Sequence, residues 1–586
     1  MKYARWLTTV AVVACMTGAS QAQPSGPDLT VNVRADRHRI SPDIYGINNY
    51  DADSGIFAAM PIPVQRWGGN ATSLYNWQVD SSNAGLDWFY IGGSGTDPAQ
   101  VVPGQTVDNI VRFDRRHGAR SVVTVPITGW VNKFSQYNCS YPQNLYPDQG
   151  IQWGWTAFWP YFADGSPTVA NGSLCGSGLS PANDGSEIVQ TDPSRNHLAV
   201  DPSWMRSWIQ HLVHVGGRDG EGKRPMIYQM DNEPESWNYI HYDIHPAATQ
   251  YDELVKDTIA YAAMIKDVNH DAAVLGPSNC CVWSQWGLSS DNIGADGVAG
   301  PFPAPYGVPW YQYYLSQMSD YEAHHHVRLL DYFDFHFYPE VDGVSIANDA
   351  AGDDATKAAR LRSTRALWDP SYVTEDWMGT WFPTTYGTPM LIRNMRDWVG
   401  QYYPGTKTAI TEYNWGGLED INGAVAQADV LGIFGREGLD LATLWGPPAA
   451  DQPGAFAFRM YLNYDGKGGR YGDVWVDSQS TDQSQLAVYG AQRTEDGMLT
   501  LMIVNKATTD LNSTLTIQGV RSGASADVFR YSSANLSSIA RLPGVPVIGA
   551  GRPQDHGQLS GTINYTFPAS SMTLFVVPVR GGGDDQ

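Results

Sequence analysis

The sequence predicts a (β/α)8 TIM-like barrel followed by a C-terminal antiparallel β-sandwich that an N-terminal strand completes. Three observations predict it. Eight short apolar runs, several of them separated by helix-like segments, occupy 44–471, and such alternation implies parallel pairing in a closed barrel. Nearly every run ends in a polar or aromatic cluster, as strands do at the chemical face of a barrel. From about Gly472 the texture changes to short alternating runs divided by turn residues, at sandwich spacing.

Taken in order, Lys2 and Arg5 precede an apolar run, Trp6 to Met16, and then the small-x-small site Ser20-Gln-Ala22. This is the layout of a secretory signal peptide over 1–22, so an exported protein is expected, extracellular or periplasmic. Lipoprotein processing at Cys15, suggested by Val12-Val-Ala-Cys15, is the minor alternative. Asp28 to Arg34 alternates as a strand, and 28–43 is assigned to the sandwich. The barrel runs are Ile44–Asn49, Pro63–Asn70, Ser121–Ile127, Pro225–Pro234, Ala273–Asn279, Tyr332–Pro339, Thr406–Asn414 and Leu441–Pro447. Helix-like stretches include Tyr251 to Val268 and Lys357 to Leu367. Tyr137 to Asp201 and Tyr338 to Trp381 are long loops of the kind that shape a cleft. The sandwich is expected over 472–580, and 581–586 as a disordered tail.

The composition narrows the function. With 586 residues and 42% apolar content the chain can bury more than one core. Charged residues are only 17%, whereas Gly (60), Trp (21) and Tyr (32) are abundant, which suits a loop-rich extracellular protein with stacking surfaces. A net charge of −23 argues against nucleic acid or an anionic lipid surface as partner, and a neutral substrate is indifferent to it. No later segment is long and apolar enough to span a bilayer, and a monomer is expected. Beyond the leader lie four cysteines. Cys139–Cys175 is the expected disulfide, which leaves Cys280 and Cys281 as a strained vicinal pair or as reduced thiols. No ligand set for a metal is complete, so no metal site is assigned. Asp51-Ala-Asp-Ser-Gly55 opens like a calcium loop without its distal Glu, which leaves a structural calcium in the long loops unplaced.

Two of the runs end in glutamate: Glu233 in Asp231-Asn-Glu-Pro234 and Glu412 in Thr411-Glu-Tyr-Asn414, on the fourth and seventh strands. So far apart in the chain, they face each other only across a closed fold. Cleavage of a glycosidic bond needs such a pair, one carboxyl protonated beside the leaving oxygen and one carboxylate at the anomeric carbon. Glu233 must then hold its proton near neutrality, so its pKa is expected to be raised. Asn232 is placed to bond a sugar hydroxyl, and Tyr338 or His336 to donate a hydrogen bond to Glu412. Most tryptophans are expected in the core. Trp67, Trp130, Trp377, Trp381, Trp415 and Trp445 lie at strand ends or just beyond, where rings stack on sugars, and Trp377 and Trp381 are the strongest candidates. His324-His-His326 reads as solvated surface.

The ordered set Ile44-Tyr-Gly-Ile-Asn-Asn, Gln65-Arg-Trp-Gly-Gly-Asn, Asp231-Asn-Glu-Pro, His336-Phe-Tyr-Pro, Thr411-Glu-Tyr-Asn and Leu444-Trp-Gly resembles glycoside hydrolase family 44, within the clan A retaining hydrolases. The resemblance runs from about Asp28 to about Arg580. It implies endo-acting hydrolysis of β-1,4-glucans such as xyloglucan and carboxymethylcellulose, with no cofactor. It also implies Glu233 as acid/base, Glu412 as nucleophile, and Arg66, Trp67, Asn232, Trp377, Trp381 and Trp445 as cleft residues. No separate cellulose-binding module is read in the chain, which favours soluble glucans. The alternatives are an endo-xylanase, a mannanase or an exo-glycosidase on the same scaffold, and a non-catalytic carbohydrate binder, which leaves two carboxylates without a purpose.

Overall fold

The structure, a computed structural model, describes residues 25–48, 54–147, 149, 158–160, 174–180, 187–216, 226–280, 282–285, 287–288, 308–344, 350–381, 383, 387–520, 523–549 and 560–579. The leader with Cys15, the first residues of the calcium-like loop, Cys281 and the final tail lie outside these residues.

After an N-terminal strand, β1 (Leu29–Asn32), come the eight barrel strands. They are β2 (Gly46–Asn48), β3 (Val64–Trp67), β4 (Arg120–Val125), β5 (Ile227–Met230), β6 (Ala273–Asn279), β7 (Tyr332–Phe335), β8 (Lys407–Tyr413) and β9 (Leu441–Leu444). Each pairs in parallel with its neighbours in chain order, and β9 closes on β2. Every expected run contributes one strand. The ends Asp231 to Pro234, His336 to Pro339 and Trp445 to Pro447 fall beyond their strands, where the chain turns into the mouth.

The outer layer comprises the helices α1 (Gln105–His117), α2 (Pro202–Gly216), α3 (Tyr251–Val268), α4 (Trp310–His325), α5 (Asp354–Ser363), α6 (Leu391–Tyr402), α7 (Ile421–Glu437) and α8 (Pro453–Leu462). The start of α3 is marked locally, since the Glu253 carboxylate accepts from the Gln250 backbone N–H. The sequence run Lys357 to Leu367 falls on α5 and the 3-10 turn Thr364–Leu367 that continues it.

The longer strands of the C-terminal domain are β10 (Val474–Ser480), β11 (Leu486–Gln492), β12 (Leu499–Asn505), β13 (Leu511–Gln518), β14 (Ser525–Ser532), β15 (Asn535–Pro546), β16 (Ser560–Phe567) and β17 (Ser571–Val577). β10 belongs to both layers: Val474 to Val476 pair with β11, and Asp477 to Ser480 pair with β1. β1 then pairs in parallel with β13, so the domain is mostly, and not wholly, antiparallel as the sequence suggested. In the sheet of β10, β11, β12, β17, β14 and β15 the central strands β11, β12 and β17 are covered on both faces, whereas β15 at the edge is largely exposed. Leu499, Leu501 and Ile503 of β12 enter the sandwich core, while Met502 and Val504 between them join the core shared with the barrel. Period-two alternation sends successive side chains to the two sides.

Candidate active site

The barrel interior is built in layers. At its base Val64, Val122, Ile227, Leu275, Tyr332, Ala409 and Leu441 form an apolar cluster. Two residues further along the same strands stand Arg66, Thr124, Gln229, Asp334, Thr411 and Thr443, all fully buried. Because a strand repeats every two residues, these polar side chains form the next layer toward the mouth. Asn48 of β2 ties the layer together, its Nδ2 donating to the carbonyls of Thr411 and Thr443 at 2.9 Å each.

Arg66 is the hub of this layer. Its Nε donates to Gln229 Oε1 (2.5 Å), Nη1 to Asn48 Oδ1 (2.8 Å) and Glu412 Oε1 (2.7 Å), and Nη2 to Asn232 Oδ1 (2.6 Å). The planar fork thus holds one carboxylate and one amide at fixed angles. Gly68 is required beside it, since a Cβ there would lie 2.3–2.6 Å from the guanidinium. Asn232 Oδ1 also accepts from Gly69 N (3.2 Å), and its Nδ2 donates to Asn70 Oδ1 (2.9 Å). All the described contacts of the Asn232 amide are therefore to the protein.

Glu233 leaves β5 through two left-handed residues, Asp231 (φ 62°) and Glu233 itself (φ 44°). Neither is glycine, so the turn carries backbone strain of the kind found where a side chain must be aimed. It is held by bonds from Ile127 N and Asn232 N to the Asp231 carboxylate (2.7 and 2.8 Å) and from Glu233 N to Ser278 O (3.0 Å). Burial pushes Glu233 up to about 7, against the pull of Arg66 and with a smaller push from Asp87. Glu412 stands near the end of β8, where the pairing with β9 slips between Ile410 and Tyr413, an irregularity that re-aims a side chain. Its Oε1 is held by Arg66, and its Oε2 accepts from Tyr338 OH at 2.8 Å. Burial and the Glu412 charge push the Tyr338 phenol well above its ordinary range, so it stays a donor.

His336 stands between the two carboxyls. Its Nδ1 is 2.9 Å from Glu233 Oε1 and 3.6 Å from Glu412 Oε2, and its Nε2 is 3.2 Å from Thr411 Oγ1. Burial lowers this imidazole to about 3, so it is neutral and carries one N–H. The facing atoms of Glu233, His336 and Glu412 lie within 4.8 Å of one another. Such a trio has metal-binding donors, but a guanidinium and a phenol already occupy both oxygens of Glu412. The charge a cation would supply there comes from Arg66.

The sequence-predicted residues divide into three groups. Arg66, Asn232, Glu233, His336, Tyr338 and Glu412 converge at the mouth. Trp445 joins them, its ring resting against Gly69, where a Cβ would lie 2.5 Å from it. Trp377 and Trp381 lie on a short helix beyond β7; Trp377 Nε1 donates to Glu340 Oε2 (2.5 Å), and Trp381 is 64% exposed. Trp130, half-buried, starts a two-stranded ribbon, Trp130–Asn132 with His197–Ala199, and makes no described contact to the carboxyls. Trp67 is corrected: its ring meets Tyr75 at 4.9 Å and Trp208 at 6.5 Å, edge to face, in the core outside the barrel wall. Alternation explains this, because Arg66 points in and its neighbour must point out. Trp415 is likewise core, its Nε1 donating to Ser363 Oγ. Cys139 and Cys175 are joined by a disulfide, and Cys280 is also disulfide-bonded. Not foreseen were Asn48, Asn70, Gln229, Asp334 and Thr411. The available signal was register: Gln229 lies two residues before Asp231, and Asp334 two before His336.

The glycoside hydrolase family 44 model matches residues 81–341. Endoglucanase A of Paenibacillus lautus is 30% identical over 530 residues, covering 88% of this chain and 69% of that protein. CelM2, a bifunctional glucanase-xylanase protein from a metagenome library, superposes with a TM-score of 0.82 and 32% identity over 95% of this chain and 100% of that one. A Paenibacillus polymyxa xyloglucanase from glycoside hydrolase family 44 gives 0.72 and 26% over the same shares. A likeness of this extent runs through barrel and sandwich alike, and by it the chain belongs to glycoside hydrolase family 44 and is a glycoside hydrolase.

Proposed function

We propose that this enzyme cleaves internal β-1,4-glucosidic bonds of soluble glucans, xyloglucan and carboxymethylcellulose among them, with retention of configuration. The observation that carries the reading is the shared imidazole, which brings Glu233 and Glu412 within 4.8 Å of each other in unlike environments. Carboxyl groups about 5–5.5 Å apart leave no room for a water between them and the sugar, so one attacks directly. Glu412, held by Arg66 and Tyr338, is the nucleophile. Glu233, which burial keeps protonated up to about pH 7, is the acid.

In the first step a Glu412 oxygen bonds to the anomeric carbon as the bond to the leaving oxygen breaks, and the Glu233 proton goes to that oxygen. In the second, water attacks the same carbon, Glu233 takes its proton, and Glu412 is released. Asn232 is fixed by Arg66 to present its remaining N–H to the sugar. Trp377, Trp381 and Trp445 offer rings for the neighbouring sugars, Trp381 by its exposure. The reaction draws on no cofactor. The names of the relatives support a glucan backbone, and the leader sequence supports export.

The test is viscosity loss and reducing-sugar release on tamarind xyloglucan, carboxymethylcellulose, xylan and mannan, with wild type and Glu412→Ala. Rapid viscosity loss on the first two, abolished in the variant, is expected. Action confined to xylan or mannan would replace the substrate and keep the mechanism; a fully active Glu412→Ala would remove the mechanism.

A further inference from the structure

Behind Glu233 a row of hydrogen-bonding groups runs into the barrel and ends on a second carboxyl. His336 Nδ1 meets Glu233 Oε1 (2.9 Å), His336 Nε2 meets Thr411 Oγ1 (3.2 Å), and Thr411 Oγ1 meets Asp334 Oδ2 (2.6 Å). Thr411 N donates to the other Asp334 oxygen (2.9 Å). His336, Thr411 and Asp334 are all fully buried. A neutral imidazole has one N–H and one lone pair, so what one nitrogen does dictates what the other must do.

We propose that Asp334 stores the proton of the acid/base and that Thr411 and His336 relay it. The inference rests on the assignment of Glu233 as acid/base. In one arrangement Glu233 O–H donates to Nδ1, Nε2–H donates to Thr411, and the Thr411 hydroxyl donates to the Asp334 carboxylate. In the other, Asp334 O–H donates to Thr411, the Thr411 hydroxyl donates to Nε2, and Nδ1–H donates to the Glu233 carboxylate. Three protons each move one place, so the proton count is unchanged and every bond is kept. The row thus holds one proton between the two carboxyls, and a Glu233 left ionised by its transfer to Asp334 regains it by the reverse shift without admitting water.

The two ends are matched for such an exchange. Burial raises Asp334 to about 7, as it does Glu233. Asp334 is faced by Arg66 from β3, which favours its ionised form, and by Tyr311 and Tyr314 from α4, whose phenols lie well above neutrality. Glu233 is faced by Arg66, Asp87, Glu235 and Tyr338, and His336 by Glu412 and Arg66. Glu235 stays protonated through burial, and both ends of the row change state near neutrality. Asp334, Thr411 and His336 are positioning residues and do not touch the sugar.

Thr411→Val cuts the relay and keeps the Asp334 carboxyl. With no partner at Nε2, the proton of His336 settles on Nδ1 and stabilises the Glu233 carboxylate. The alkaline limb of kcat/KM on a glucan then moves to lower pH by about one unit, a tenfold change in the ionisation constant. Thr411→Ser restores the limb to its original position. Asp334→Asn, whose amide donates to Thr411 and sets the same tautomer, moves the limb in the same direction and serves if Thr411→Val does not fold. Folded variants of both with the wild-type limb would overturn the proposal, because a purely structural threonine changes kcat or stability and leaves the limb in place. A shift in Asp334→Asn alone would also overturn it, by assigning the effect to the lost charge. Glu233→Gln separates the two readings: activity retained there on unactivated glucans removes the acid/base itself, while activity lost there with an unmoved limb in Thr411→Val removes only the relay.

Discussion

Arg66 has no water to turn to, and its buried fork is satisfied by Gln229, Asn48, Glu412 and Asn232 together. A lysine ammonium cannot reproduce that planar geometry. Arg66→Lys is expected to lower kcat/KM by about 100-fold or more, mostly through kcat, since it misaims the Glu412 carboxylate and the Asn232 amide; steady-state kinetics check this. The carboxyls carry a pH signature. Glu233 moves from an ordinary 4.5 to about 7 and Asp334 from 3.8 to about 7. Both are raised in the folded state, so the stability they contribute is complete below their ordinary values and is lost as pH rises through about 7. The thermal midpoint is expected to fall over that window, in step with the alkaline loss of activity, and scanning calorimetry from pH 5 to 8 checks it. At this scale the two glutamates were legible because each ends an apolar run. Gln229 and Asp334 were not, because a polar residue inside such a run reads as an interruption until the inward register is known. Trp67 misled for the same reason: a ring at a strand end does not reveal which side of the wall it faces.

The strands were the most legible elements, because buried parallel strands are short and apolar and their loops are marked by Gly and Pro. The long insertion after β4 was readable only as a loop. Its described strands are too short to have a periodic signature, such as Asn138–Cys139, which pairs back with Ile91–Gly92 of the preceding loop. What holds them is side-chain chemistry. The Cys139–Cys175 bridge spans 36 positions and packs with Phe89 and Ile91. Closing a loop of that size stabilises the fold by about 4 kcal/mol. Cys139→Ser is expected to lose that amount, seen as a lower denaturation midpoint without reductant, and reductant, which also opens the disulfide at Cys280, is expected to lower the wild type by more than it lowers the variant.

Barrel and sandwich share a wall. The sheet containing β11, β12 and β17 sends alternate residues into each core, and α7 lies against its barrel side, where Gly432 meets the Tyr489 ring at a distance that admits no Cβ. In this interface Lys506 Nζ pairs with Asp429 Oδ2 at 2.9 Å, both buried, and Asp429 also accepts from Tyr489 OH (2.6 Å) and Thr364 Oγ1 (2.8 Å). Removing one partner strands a buried charge, which costs about 3–5 kcal/mol. Lys506→Ala is expected to show that loss, and wild type a single unfolding transition by far-UV and tryptophan signals alike. The change of texture near Gly472 made the sandwich legible. Its fusion to the barrel was not, because a strand buried on both faces does not name the core that each face enters.

In the proposed reaction Glu412 forms a covalent bond to the sugar while Glu233 serves as acid and base. Incubation with a 2-deoxy-2-fluoro cello-oligosaccharide bearing an activated aglycone, followed by intact-protein and peptide mass spectrometry, tests it directly. A stoichiometric glycosyl adduct is expected on the peptide carrying Glu412, released on adding an acceptor sugar. An active enzyme that forms no adduct and yields product of inverted anomeric configuration would contradict it.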